Sequence, residues 1–266
     1  MQIIDLSLPI DDTLDETHAA NIQRISHSQG VEHLNWVLMS KDRVSEAKFK
    51  RGERLIAPGD VPDEELLSLE IVNSSVHMGT HVDAPYHYGS KSEGKPSKYI
   101  NDLPLEWCYC DGVVLDFKYK KYPEIINHKD VVNALNKINY KLKPLDIILF
   151  NTGADKFIGK PEYVNKYVGV LPEAIEYLLD FGIKMIGIDT LGLDRPCPDM
   201  FTEFLKTKNK SVLWPSHFLG RRREYAHIER LANLDKIPVA FGFKVSCFPV
   251  KIRNAGAGWA RVVAIL

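Results

Sequence analysis

Short runs of branched apolar residues alternate with polar segments through the middle of the chain. Three of them, GVVLDF at 112–117, PLDIILFNTG at 144–153 and KMIGIDT at 184–190, have the length and composition of buried strands. Further runs, VAFGFKVSCF at 239–248 and WARVVAIL at 259–266, predict strands near the end of the sequence. MQIIDLSLPI predicts one more strand, ending at Pro9.

Two segments between these runs have helical spacing instead. HKDVVNALNKIN, at 128–139, places Val131, Leu135 and Ile138 on one helical face. LPEAIEYLLDFG opens with Pro172 and closes with Gly182, which suit a helix start and stop. Helix and strand are therefore mixed, and no linker composition marks a boundary. The pattern predicts an α/β fold in a single domain, residues 1–266.

The first seventy residues are less regular. HLNWVLMS predicts a strand around Trp36, and KDRVSEAKFKRGERLIAPGD, at 41–60, is charged and predicts an irregular excursion or lid. VPDEELLSLE is compatible with a helical turn that begins at Pro62.

Composition narrows the class of partner. The chain has 266 residues, 45% of them hydrophobic, and a formal net charge of -1. This size supports a sizeable core, and the balanced charge gives no electrostatic reason to expect nucleic acid or an anionic membrane. The expected partner is a small molecule. The basic run Arg221–Arg223 is interpreted as a solvated face or as an anion-binding loop.

Targeting and redox signals favour a cytoplasmic protein. The amino terminus lacks a basic region before its apolar residues, and no apolar run approaches the ~18 residues that cross a bilayer. The four cysteines form no C-x-x-C pair, so we expect reduced thiols.

Candidate chemistry concentrates in VHMGTHVDAPYHYG, residues 76–89. Its titratable residues all occupy odd positions: His77, His81, Asp83 and His87. Alternate residues share a face on an extended backbone, but a flat strand would separate the outer histidines by roughly 33 Å. Convergence therefore requires bends, for which Gly79 and Pro85 are suited.

Two imidazoles and a carboxylate on one face suit a borderline divalent cation: zinc, manganese, iron or cobalt. Catalytic metal sites rarely take all their ligands from one segment. A second rich stretch, SHFLGRRREYAHIERL at 216–231, offers four more candidates: His217, Glu224, His227 and Glu229. Spacing alone does not choose among them.

HMGTHVDAPYH fits an H-x-G-T-H-x-D-x-P-x-H signature, and on it the chain resembles the metal-dependent cyclase-like hydrolases, which include bacterial kynurenine formamidases and isatin hydrolases. The segments DLSLPI, DLPLEW, NTGADKF, GVLPEAIEYLLDFGIKMIGIDT and HIERLANLD resemble the family in the same order. The resemblance covers nearly the whole chain. It implies a swivelling β/β/α fold, a homodimer or homotetramer, and hydrolysis of an amide or cyclic amide bond in a small, often aromatic molecule.

The same resemblance implies roles for individual residues. By position, His77, His81 and Asp83 correspond to metal ligands and His87 to the general acid/base. In the formamidase branch a distant histidine and a glutamate twelve positions later complete a two-zinc site, and His217 and Glu229 have that spacing. The isatin-hydrolase branch includes members that lack the glutamate and hold one manganese. Glu229 therefore favours two divalent metals per chain, zinc or manganese.

Substrate recognition is the least constrained part of the prediction. Asn151 stands where many relatives have arginine in an Arg-Thr-Gly motif, so it is a candidate substrate-binding residue that replaces a cation. Trp36, with Trp107 and Phe157, is interpreted either as the lining of an aromatic pocket or as core. Asp189, Thr190 and Asp194 follow a predicted strand and are expected to support metal ligands or the backbone.

Three functions remain open at this point: an amidohydrolase, a cyclase or dehydratase of specialised metabolism on the same scaffold, and a metal-binding protein without turnover. A cation lowers the pKa of bound water towards ~7 and polarises a carbonyl, and a neutral imidazole can then transfer the proton. A fourth histidine in phase is most easily explained by proton transfer, so His87 argues against the third function.

Overall fold

Strands and helices are interspersed along the chain in a computed structural model that describes residues 1–14 and 19–266. The described residues contain these α-helices: α1 (His27–Met39), α2 (Arg43–Lys50), α3 (Pro85–Tyr88), α4 (His128–Lys137), α5 (Pro161–Asn165), α6 (Pro172–Asp180), α7 (Cys197–Thr207) and α8 (Pro215–Leu219). They contain these strands: β1 (Ile3–Asp5), β2 (Asn21–Ile25), β3 (Leu69–Asn73), β4 (His81–Asp83), β5 (Lys91–Ser92), β6 (Lys95–Pro96), β7 (Tyr109–Asp116), β8 (Ile125–Ile126), β9 (Ile147–Asn151), β10 (Gly169–Val170), β11 (Met185–Ile188), β12 (Ala226–Glu229), β13 (Phe241–Ser246), β14 (Ala257–Trp259) and β15 (Val263–Ile265).

Within the described residues, nine strands form one mixed sheet in the order β1-β15-β13-β7-β9-β11-β12-β4-β14. The centre, β7-β9-β11-β12, is parallel, and antiparallel strands flank it on both sides. The predicted strands in 112–117, 144–153, 184–190, 239–248 and 259–266 all fall in this sheet. The expected mixed α/β sheet is therefore present.

Alternate residues of the central strands enter two separate hydrophobic clusters. Val113 and Leu115 of β7 join one cluster, and Val114 joins the other. The first cluster also includes Val131 of α4 and Ile175 of α6, so the two helices predicted from spacing cover this face. The second cluster draws on strands such as β1, β4 and β13. Each face of the sheet thus has its own core.

The chain divides into two compact units by its internal contacts, one of Met1–His18 with Ser75–Leu266 and one of Ala19–Ser74. The larger unit contains the nine-stranded sheet. The smaller unit contains the β2–β3 ladder, α1 and α2. The interpretation of residues 1–266 as one functional domain stays a prediction.

The predicted strand at HLNWVLMS is wrong, because this segment is the second half of α1. Val31, Asn35 and Met39 are buried at intervals of four, which is the period of a helix rather than a strand. Gln29 accepts a hydrogen bond from the backbone N–H of Ser26 and so stabilises the helix start. Local β-propensity around Trp36 was the misleading signal.

The charged segment 41–60 is also more regular than predicted, since α2 occupies part of it. The Asp42 carboxylate accepts hydrogen bonds from the N–H groups of Val44 and Ser45 and caps the helix. Glu46 and Lys50 form an i,i+4 ion pair of 2.6 Å. A short 3-10 turn does begin at Pro62. No helix in the described part of the chain combines the length and apolar composition that a bilayer crossing requires.

Candidate metal centre

Two strands that are distant in sequence bring the candidate chemistry together. β4 and β12 are antiparallel neighbours, and their register pairs Asp83 with His227 and His81 with Glu229. Because alternate residues share a face, all four side chains lie on one side of the sheet. Val82 and Ile228, between them, are buried in the core on the other side.

His77 and His87 reach this face from the ends of β4 because the backbone bends. Gly79 has a φ of 65°, a left-handed conformation that glycine adopts without strain. Pro85 begins the single turn of α3, which contains His87. Both predicted bends are present, but the alternation predicted across the whole segment ends at Asp83. His87 approaches the site from a helical turn.

His217 lies on α8 and is positioned by Asp194. The Asp194 carboxylate accepts hydrogen bonds from the backbone N–H groups of Ser216 and His217 at the start of the helix. It also lies 2.6 Å from Nδ1 of His217. This contact engages Nδ1, so Nε2 faces the cluster and lies 3.5 Å from Oε1 of Glu229. Asp194 therefore supports a candidate ligand, as its sequence position indicated.

His81 has a similar support. Its Nδ1 lies 2.9 Å from the carbonyl oxygen of Gly79, which leaves Nε2 facing the other side chains. Nε2 lies 3.2 Å from Nδ1 of His77 and 3.4 Å from Oδ1 of Asp83. The same nitrogen is 3.6 Å from Oε2 of Glu229. His81 thus lies between the two ends of the cluster.

Two overlapping groups have the spacing of a metal site. One ligand atom from each residue of the first group lies within 4.8 Å of the others: Asp83, His217, His227 and Glu229. The second group meets the same limit: His77, Asp83 and His87. Asp83 belongs to both groups, so its two oxygens are placed to serve two neighbouring positions. The structure brings together all six residues that were predicted as ligands or acid/base.

A divalent cation fits this arrangement. Both oxygens of Asp83 and Nε2 of His227 are buried without a hydrogen-bond partner. Such orphaned atoms are costly inside a protein unless an ion or water satisfies them. The donor set is made of imidazole nitrogens and carboxylate oxygens, which borderline divalent metals prefer.

The carboxylates are held in their charged form. Burial by itself would raise the pKa of Asp83, but His81 and His87 and the contacts with His227 lower it well below the ordinary value. Burial likewise opposes ionisation of Glu229, and His227 lowers the pKa of that group well below its ordinary value. Both carboxylates are therefore held in the ionised form that binds a cation.

The histidines respond to the same charges in different directions. Burial opposes a charge on His227, yet the carboxylates of Glu229 and Asp83 raise its pKa to about 10. Burial also opposes a charge on His77, but Asp83 raises the pKa of that ring above its ordinary value. For His87, whose side chain is 34% exposed, partial burial lowers the pKa to about 4 although Asp83 acts in the opposite direction.

Sequence reasoning left two functional candidates unassigned. His227 was one of four possibilities in its segment, and the resemblance selected His217 and Glu229 instead. The missing signal was its position two residues before Glu229 on a strand, which puts both side chains on one face. Tyr88 is the second: its hydroxyl donates to the carbonyl oxygen of Asp83 and lies 3.1 Å from Nδ1 of His227.

The predicted substrate-binding residues lie outside this cluster of contacts. Asn151, at the end of β9, lines a cavity of about 290 Å³ with Asp116 and Lys118, and no residue of the two metal-site groups lines that cavity. Trp36, on α1 of the smaller unit, is 51% exposed and stacks on His33. Trp107 is buried in the core. The roles of Trp36 and Asn151 in substrate binding stay predictions.

Asp189 supports the backbone rather than a ligand. Its carboxylate accepts hydrogen bonds from the N–H groups of Thr152 and Gly153 and from the Thr152 hydroxyl. The four cysteines are free thiols, as expected from their spacing.

Comparison with known proteins gives a family match. A family model described as putative cyclase matches residues 4–195. An isatin hydrolase from Roseibium aggregatum is 25% identical over 199 residues, which cover 71% of this chain and 72% of the relative. A kynurenine formamidase from Paracidovorax citrulli is 25% identical over 231 residues, covering 78% and 89%.

Solved structures agree on the fold. An isatin hydrolase bound to the product analogue thioisatinate superposes with a TM-score of 0.73 at 20% identity, covering 100% of this chain and 92% of that one. A structure described as a novel cyclase gives a TM-score of 0.69 at 17% identity, covering 100% and 88%. The predicted fold and the predicted resemblance to this group of hydrolases are confirmed.

Proposed function

Because this chain belongs to the putative cyclase family, we propose that it is a metal-dependent hydrolase that cleaves an amide or cyclic amide bond of a small, aromatic molecule. The carrying observation is the cluster around buried Asp83, which has metal-ligand spacing with His217, His227 and Glu229 on one side and with His77 and His87 on the other. The names of the relatives, isatin hydrolase and kynurenine formamidase, support a carbon–nitrogen bond other than a peptide bond as the target.

In this proposal His77, His81 and Asp83 hold one divalent ion, and Asp83, His217 and Glu229 hold a second, with zinc or manganese as the metal. When bound, such an ion polarises a carbonyl as a Lewis acid and lowers the pKa of water. The chain's own part is to hold imidazole and carboxylate groups at fixed positions. Asp194 and the Gly79 carbonyl contact Nδ1 of His217 and of His81, so that Nε2 of each ring faces the cluster.

His87 is the proton-transfer residue of this proposal. Its Nε2 lies 3.7 Å from Oδ2 of Asp83, and its ring centroid lies 4.3 Å from that of His77. The ring is partly exposed, so it can contact both the cluster and a substrate. From this position the imidazole can accept a proton from water and pass it to the leaving nitrogen.

The direct test is hydrolysis of N-formylkynurenine, isatin and simple lactones by protein loaded with zinc or with manganese. We expect turnover of at least one amide substrate, abolished by a chelator and restored by the metal. Turnover of lactones alone, or none of any substrate by protein with a full complement of metal, would contradict the proposal.

A cyclase or dehydratase is the second candidate, favoured by the description of the matching family as putative cyclase. The same residues would then transfer protons without net addition of water. Incorporation of ¹⁸O from labelled water into the product separates the two, since only hydrolysis must incorporate it. We further propose that the protein is cytoplasmic and forms a homodimer or homotetramer. Light scattering after size-exclusion chromatography measures its mass in solution and so tests the assembly.

A further inference from the structure

We infer that His227 is a further metal ligand, which together with Asp83, His217 and Glu229 gives the second metal position four protein donors. The inference rests on the proposed metal dependence. It concerns which residues hold the ion, and it does not depend on the substrate.

The position of His227 on β12 places its ring among the proposed ligands. Its ring is fully buried, and Nε2 lies 3.0 Å from Oδ2 of Asp83 and 2.9 Å from Oε1 of Glu229. The ring centroid of His217 is 4.7 Å away. A nitrogen in such a position has no other partner among the described residues than the ligand atoms themselves.

Tyr88 fixes which nitrogen of His227 is available. The Tyr88 hydroxyl donates its proton to the carbonyl oxygen of Asp83. Its oxygen is therefore free to accept the proton of His227 Nδ1, 3.1 Å away. Tyr88 thus occupies Nδ1, and Nε2 is the ring nitrogen that faces the two carboxylates, as it would in a metal ligand.

Hydrogen-bond geometry shows that the contacts between His227 and the carboxylates are not a simple hydrogen-bonded ion pair. An imidazolium at this place would donate its Nε2–H to Asp83 or Glu229. Both oxygens are close enough, yet neither contact has the geometry of a hydrogen bond, and Nε2 and both Asp83 oxygens are left without partners. Nε2 of His227 and the adjacent Oδ2 of Asp83 are better satisfied by an ion between them.

This assignment gives the two metal positions different characters. Four protein donors would fill the positions around an ion such as zinc, whereas three would leave room for water or substrate. His77, His81 and Asp83 would then hold the more accessible ion, next to His87. The residues with His227 would hold the other ion and keep the shared carboxylate of Asp83 in place.

The test measures metal binding rather than turnover. Metal-free native protein and His227→Gln are titrated with Zn²⁺, and bound zinc per chain is counted by mass spectrometry of the metal after dialysis. We expect native protein to bind two zinc ions. The variant should lose one of them, or bind it with an affinity at least about 100-fold lower. Loss of a residue that only supports a ligand typically costs ~10–100-fold in affinity. His128→Gln, at an exposed histidine of α4, is the matched control and should bind as native protein does.

Two results would overturn the inference: native affinity for both ions in His227→Gln, or one ion per native chain at saturation. In the former case His227 is not a ligand and only pairs with the carboxylates. Tyr88→Phe provides a graded check, with an expected weakening of ~10–100-fold. If the glutamine variant fails to fold, a zinc-loaded crystal of native protein decides, since ligation requires an Nε2–zinc distance of about 2.0–2.1 Å. Failure of the hydrolysis assay with both ions bound would contradict only the proposed function.

Discussion

Asp83 has the most demanding position of any single side chain in the cluster. It is fully buried, and histidines surround both of its oxygens: His77, His81, His87 and His227. An ionised carboxylate in such a place needs cations or donors on all sides. In the proposed function, the residues around it divide into those that bind a metal ion and His87, which transfers protons.

His87→Ala tests that division. Loss of a proton-transfer residue typically lowers the rate ~10²–10⁴-fold, and we expect a fall in kcat of that size. Bound metal should be unchanged, because the proposed ligand sets do not need His87. Metal analysis and steady-state kinetics on the same preparation provide the measurement. A variant that keeps its metal and its full activity would remove the assigned role.

Asp194→Ala tests the support of His217. The variant frees Nδ1 of His217 and removes the acceptor for two backbone N–H groups of α8. We expect zinc affinity at one position to fall ~10–100-fold, and the free energy of unfolding to fall by about 1–3 kcal/mol. Asp180→Ala, which removes an exposed partner of Arg223, is the control. Equal zinc affinity in Asp194→Ala and native protein would show that His217 needs no such support.

The pairing of β4 with β12 explains how much of the site the sequence could predict. The local spacing of the histidines was enough to predict the segment at 76–89 as a metal site, and the family resemblance added His217 and Glu229. The register that sets His227 opposite Asp83 is a contact between distant strands, which no local pattern encodes. The same limit applies to α1, where local β-propensity favoured a strand and buried positions four residues apart formed a helix.

Gly220→Ala probes the elements that hold Tyr88 against His227. A Cβ at Gly220, just after α8, would collide with the ring of Tyr88. We expect about 1–3 kcal/mol of destabilisation from overpacking and weaker binding of one metal ion, as Tyr88 moves from His227. Chemical denaturation and zinc titration measure the two effects. Gly59→Ala, where a Cβ meets nothing within 4 Å, should leave both unchanged. If Gly220→Ala also matched native protein, the packing around Tyr88 would be looser than the structure indicates.

At the scale of the whole molecule, metal binding by the cluster should raise the free energy of unfolding. Without a cation, two buried carboxylates remain ionised near each other, and metal that binds only the folded chain stabilises it. At a free metal concentration 1,000 times Kd, each site contributes about 4 kcal/mol. We expect calorimetry to show a clear fall in Tm after chelation, reversed by zinc or manganese. An equal Tm with and without metal would mean that the cluster binds no metal ion.

The register of β4 against β12 has a consequence for the order of events when the protein forms. A slip of β4 by one residue would turn Val82 towards the cluster and the side chains of His81 and Asp83 into the core. The site therefore does not exist until two distant parts of the chain have met in the correct alignment. Binding of a coloured ion such as cobalt would then report when this side of the sheet forms during refolding. We expect its absorbance to appear later than the circular-dichroism signal of the helices.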